Sequence, residues 1–94
     1  MAAEPRFIRE PSATLYAMAD GSAAVRESAT QQLHALNPEA TEIWAAATEW
    51  TRTDLASWLA NRGHPDAEVG TMAEAFLIRM VGAGLFRPEL GEQA

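Results

Sequence analysis

The sequence predicts an α+β domain of winged-helix-like type, a three-stranded antiparallel sheet followed by a three-helix bundle. Three observations carry that expectation. Short apolar runs separated by turn residues fill the chain between Ala13 and Leu36. From Pro38 onward the apolar residues recur at helical spacing. The stretch Leu36-Asn37-Pro38-Glu39-Ala40-Thr41-Glu42-Ile43-Trp44 marks the changeover, a strand running straight into a helix.

Residues 1–12 contain Pro5 and Pro11 without a clear period and read as a flexible N-terminal arm, able to dock through Phe7-Ile8. The domain proper is expected over 13–87, with a C-terminal tail over 88–94. Ala13 to Ala19 forms the first strand, with Leu15, Ala17 and Ala19 on one face and Tyr16 and Met18 on the other. Asp20-Gly21 predicts a tight hairpin, because both central residues of a type I′ turn need positive φ. Ser22 to Glu27 returns as the second strand around Ala24 and Val25, although alanine is a poor strand former. Ser28-Ala29-Thr30 is a second turn, and Gln31 to Leu36 the third strand.

Asn37 is a strong N-cap, Pro38 suits the first helical position, and Glu39 and Glu42 sit near the positive end of the helix dipole. The first helix is expected from Pro38 to about Thr48, with Ile43, Trp44 and Ala47 on its buried face. Thr51-x-x-Asp54, a capping-box variant, opens a second helix carrying Leu55, Trp58 and Leu59, which Gly63 stops. His64 to Glu68 starts the third, which sets Val69, Met72, Ala73, Phe76, Leu77, Met80 and Val81 at amphipathic spacing before Gly82-Ala83-Gly84. Val69, Ala73, Leu77 and Met80 are its expected core.

Ninety-four residues fit one domain. The absence of cysteine rules out a disulfide scaffold and thiolate chemistry, and fits a reducing cytoplasm. The charged N-terminus has no apolar stretch typical of a signal peptide, and no apolar run approaches the ~20 residues that span a bilayer. A soluble, cytoplasmic protein without membrane partners is expected. The net charge of −6, the lack of lysine and the seven singly scattered arginines argue against nucleic acid as a partner. His34 and His64 fall in different elements with no second metal ligand at helical spacing. Ser12, Ser22, Ser28 and Ser57 lack a nucleophile elbow, and the glycines form no phosphate loop. The pair Glu39/Glu42 fits dipole charge, and Glu89/Glu92 a solvated tail. No catalysis, metal or cofactor is therefore expected.

The run from Leu36 to Trp44 resembles the "L-N-x-x-A-x-x-I-W" signature of the PqqD-like proteins, small leader-peptide-recognition domains of pathways that modify ribosomally made peptides. The resemblance extends over roughly Leu15 to Phe86. The third helix is similar to that family's "E-V-x-x-D-V-x-x-F-L-x-x-L-x-x-x-G-L-L" at Glu68, Val69, Phe76, Leu77, Gly84 and Leu85, with Met80 and Phe86 in place of leucines. Met72 and Ala73 depart from the pattern, and Thr48-Glu49-Trp50 replaces its Asp-Gly.

The resemblance implies a cleft between the last strand and the third helix, into which a leader peptide enters as an added strand. The strand would contribute Gln31, Gln32, Leu33, His34, Ala35 and Leu36. On the helix, Met72, Phe76, Arg79 and Ala83 lie along one line at 3–4 residue spacing and suit a groove for variable side chains. The implied partners are a precursor peptide and a modifying enzyme such as a radical-SAM enzyme, peptidase or cyclase. The alternatives are a winged-helix transcriptional regulator, which the element order permits, and a structural subunit of an enzyme complex.

Overall fold

The structure, a computed structural model, describes residues 4–89. It is α+β, with two three-stranded antiparallel sheets and three helices. In chain order these are β1 (Arg6–Arg9), β2 (Thr14–Ala17), β3 (Ala23–Arg26), β4 (Leu33–Leu36), α1 (Pro38–Ala46), β5 (Glu49–Thr51), α2 (Arg52–Asn61), α3 (Asp66–Gly82) and β6 (Phe86–Glu89). One sheet has the order β2-β3-β4 and the other β5-β1-β6.

The first sheet is built from two local hairpins. Its strands are shorter than the sequence suggests, and both turns differ in detail. Asp20-Gly21 belongs to a three-residue loop: the Met18 N–H donates to the Ser22 carbonyl at 2.9 Å, and only Gly21 has positive φ, at 91°. That is the type I turn followed by a left-handed residue, not the type I′ turn expected, and it leaves the Asp20 carboxylate to accept from the Ser22 N–H at 3.0 Å. The second turn runs from Glu27 to Gln32. Gln31 stands at φ 63° with its N–H on the Glu27 carbonyl at 2.7 Å, so Gln31 and Gln32 precede β4 instead of lying in it. Across the sheet Ala23, Val25 and Leu36 face the core, while Tyr16, Met18 and Leu33 lie exposed on the opposite face.

The second sheet was absent from the sequence expectation. Over Arg6–Arg9 the flexible arm is instead the central strand, with Phe7 opposite both Trp50 and Pro88. Arg6 lies within ion-pair distance of Glu49 on one side and Glu89 on the other, at 3.4 and 3.5 Å. The expected tail begins within β6; residues 1–3 and 90–94 lie outside the described residues. Helix α1 stops at Ala46, two residues early, and Ala47 is already extended at φ −157° and ψ 155°. Thr48, Trp50 and Thr51 favour extended backbone, and Thr51 has to stay non-helical to cap α2. Glu49–Thr51 therefore form a strand, β5, which buries Trp50 edge-on against Trp58, with ring centroids 6.2 Å apart.

The helix signals appear where the residues place them. The Asn37 side chain accepts from the Ala40 N–H at 2.8 Å, a cap worth about 1 kcal/mol. Thr51 accepts from the Asp54 N–H at 3.0 Å. The four α3 residues expected in the core, Val69, Ala73, Leu77 and Met80, are buried together with Leu55 and Leu59 of α2. Phe86 ties β6 to α1 and α3, meeting Trp44 and Phe76 in edge-to-face contacts with centroids 5.7 and 6.3 Å away. Among the described residues, no helix is long and apolar enough to cross a membrane.

Candidate functional site

Strand β4 lies at an edge of its sheet, bonded to β3 alone. The Glu27 N–H donates to the Gln32 carbonyl at 2.9 Å, and this bond fixes the phase of the ladder. In antiparallel pairing, bonded and non-bonded pairs alternate. Stepping along the register, Val25/His34 and Ala23/Leu36 exchange hydrogen bonds, whereas Arg26/Leu33 and Ala24/Ala35 do not. Leu33 and Ala35 thus turn both their N–H and C=O groups away from the sheet. They present two donors and two acceptors along an unpaired edge.

Helix α3 reaches that edge through one long side chain. Its Arg79 Nη2 donates to the Ala35 carbonyl at 3.5 Å, so the side chain spans from the helix to an outward-facing acceptor of β4. Met72, Phe76 and Arg79 line a recess of about 80 Å³ together with Asn37, Ala40 and Ile43 of the β4–α1 junction. Phe76 is half-buried, packed against Phe86 on one side and open to the recess on the other. Ala83 is half-buried at the end of α3 and packs on the core; it does not line this recess.

The strand residues divide by face. Leu33 is 64 % exposed and points to the outer face, as does Ala35. Leu36 is buried, so its side chain serves the core and its contribution to an edge site is confined to the backbone. His34 is half-buried on the core-facing side, and its Nε2 is buried without a hydrogen-bond partner among the described residues. Gln31 and Gln32 belong to the preceding turn, where the Gln31 side chain donates to the Ser28 carbonyl at 2.8 Å.

Two electrostatic features hold the ends of the edge. At the turn, the Glu27 carboxylate accepts from the Thr30 hydroxyl and from the Ala29 and Thr30 N–H groups, and these bonds hold its pKa below the ordinary glutamate value. At the α1 end, His64 Nε2 lies 2.6 Å from Glu39 Oε2, which ties the α2–α3 connection to the first turn of α1. No group of three or more His, Asp or Glu side chains suited to a metal ion occurs among the described residues. The arginines are dispersed: Arg62 pairs with Glu42, Arg87 with Glu10, Arg9 lies over the Trp44 ring and Arg26 over Tyr16.

In the sequence the lining residues Asn37, Glu39, Ala40 and Ile43 carry only the signals of a helix start and its buried face. The signal was present in the order of elements. A helix that begins one residue after an edge strand necessarily borders the end of that edge. Compared with protein-family models, curated proteins and solved structures, the chain matches none.

Proposed function

We propose that this chain is a non-catalytic, PqqD-like peptide-recognition domain of winged-helix-like type. It works in the cytoplasm, capturing the leader segment of a ribosomally synthesised precursor peptide by strand addition and presenting it to a modifying enzyme such as a radical-SAM enzyme, peptidase or cyclase. The observation that carries this reading is the β4 edge, with the outward N–H and C=O groups of Leu33 and Ala35 standing beside the Met72–Phe76–Arg79 wall. An extended peptide pairing there meets the outward N–H and C=O groups of Leu33 and Ala35, the Ala35 carbonyl once Arg79 leaves it, and drops alternate side chains toward the recess. Such binding requires an open edge and an apolar wall, and no titrating constellation. The DNA-binding alternative has less support, because the arginines lie far apart and several already hold carboxylates or aromatic rings.

The test is a selection of binders from a random-peptide display library on the immobilised protein, followed by titration of the selected peptides against Leu33→Pro and Ala35→Pro. Each proline removes a donor that faces the ligand and no donor that faces β3. Loss of binding by variants that retain their circular dichroism supports the reading. Affinities within about twofold of the wild type for both folded variants overturn it.

A further inference from the structure

The contact between Arg79 and Ala35 occupies one of the two outward acceptors that an added strand needs. The guanidinium donates to the Ala35 carbonyl across 3.5 Å, from an exposed side chain, and no carboxylate lies within ion-pair distance of it among the described residues. The acid that lines the same recess, Glu39, is engaged by His64 at 2.6 Å. Among the described residues Arg79 thus has no carboxylate within ion-pair distance, and it rests on a neutral carbonyl by a long and easily displaced hydrogen bond.

We propose that Arg79 is a latch on the β4 edge, released by a carboxylate of the incoming peptide, and that the domain therefore selects extended peptides bearing Asp or Glu at an inward-facing position. This rests on the strand-addition reading above and names the peptide class that it favours. The geometry sets the position of the acid. Ala35 directs its own side chain to the outer face, so the peptide residue paired with it also faces outward. The two residues flanking that one point toward α3, where Arg79 lies. A carboxylate there draws the guanidinium from the carbonyl into a charge-assisted pair, and the freed carbonyl accepts the peptide N–H. A peptide with no acid has to displace the latch without compensation. In the empty domain, the same contact covers part of an edge that would otherwise be a template for pairing with other strands.

The prediction is a crossover between two peptides and two proteins. From the display selection on the wild-type protein, one edge-binding peptide is made in two forms, with its inward-facing acid intact and with that acid changed to the amide. The wild type binds the acidic form more tightly than the amide by about three- to tenfold, with the difference shrinking as salt is raised. Arg79→Ala binds the two forms alike, and binds the amide form more tightly than the wild type does. Because Arg79 is exposed, the melting temperature of the variant should stay near that of the wild type, which a thermal melt verifies. If Ala35→Pro blocks the peptides but Arg79→Ala weakens both forms equally or changes neither, the latch is wrong while strand addition stands. If no selected peptide is sensitive to Ala35→Pro, strand addition itself fails, and the latch with it.

Discussion

The two sheets have the same strand count, but their β4 and β6 edges are treated in opposite ways. In the β5-β1-β6 sheet the Glu10 N–H donates to the Leu85 carbonyl at 2.9 Å, so Arg6 and Ile8 bond across to β6 and Phe7/Pro88 is a non-bonded pair. Pro88 therefore stands where the strand would otherwise turn an N–H outward, and it has none to offer. This is a common means of blunting an edge against unwanted pairing. The β2-β3-β4 sheet has no proline in its strands, and Leu33 and Ala35 turn both N–H and C=O outward, with Arg79 resting on the Ala35 carbonyl. One sheet packs β1 and β6 onto the core; the other keeps the β4 edge open, touched by Arg79 of α3. The contrast locates the candidate site in the sheet that stays unfinished.

Breaking the closed sheet should cost the most. Phe86 is buried at the first position of β6 and packs against Trp44 and Phe76. Phe86→Ala should destabilise by about 3–5 kcal/mol, read from the midpoint of urea unfolding. In a domain whose whole stability is on the order of 5–15 kcal/mol, that leaves a marginal fold. A loss under about 1 kcal/mol would mean that the second sheet contributes little to the core.

The open sheet offers a sharper comparison between neighbours. The His34 N–H is spent on the ladder to Val25, whereas the Ala35 N–H faces away from it. His34→Pro should therefore cost on the order of 2–3 kcal/mol of stability, and Ala35→Pro about 1 kcal/mol or less. Equal costs, measured by chemical denaturation, would show that the ladder phase has been assigned wrongly. Phe76→Ala tests the wall between the two sheets. Its ring is half-buried, touching Phe86 and opening on the recess, so the change should divide its effect. About 1–3 kcal/mol of stability and roughly tenfold in affinity for the selected peptides are expected. A change confined to stability would assign Phe76 to the core alone.

The same contrast explains what was legible in the sequence. The open sheet is made of adjacent strands joined by short turns, and Asp20-Gly21 and Asn37-Pro38 mark its boundaries through local backbone chemistry. Three of the four wall residues, Met72, Phe76 and Arg79, share one recess, and of these Arg79 reaches β4, at the Ala35 carbonyl. The closed sheet pairs Arg6 with Thr51 and with Glu89, residues far apart in the chain. Its strands, Arg-Phe-Ile-Arg, Glu-Trp-Thr and Phe-Arg-Pro-Glu, are too short to show alternation, and a proline in the last argues locally against a strand. Only the non-local core around Trp50 and Phe86 makes them strands, and no single stretch of sequence contains that information.

The smallest expected effect concerns the turn that begins the open edge. Glu27 holds the β3–β4 connection through the Thr30 hydroxyl and the Thr30 and Ala29 N–H groups, and these bonds favour its charged form. Its pKa is therefore lower in the folded protein than the ordinary value of 4.5. A carboxylate depressed in this way adds stability that is complete above the unfolded pKa and disappears as pH falls through the folded one. Asp20, lowered by the Ser22 hydroxyl and N–H in the other turn, acts with the same sign. Glu27→Gln keeps the shape but removes the charge. The variant should melt slightly below the wild type by a constant margin from pH 6 to 8, and the margin should narrow as the pH is lowered past 4.5. Because the half-buried group is still open to solvent, the margin should also shrink in high salt. A margin that is unchanged down to acid pH would mean that the amide loses packing, not charge, and that the turn's hydrogen bonds do not depend on ionised Glu27.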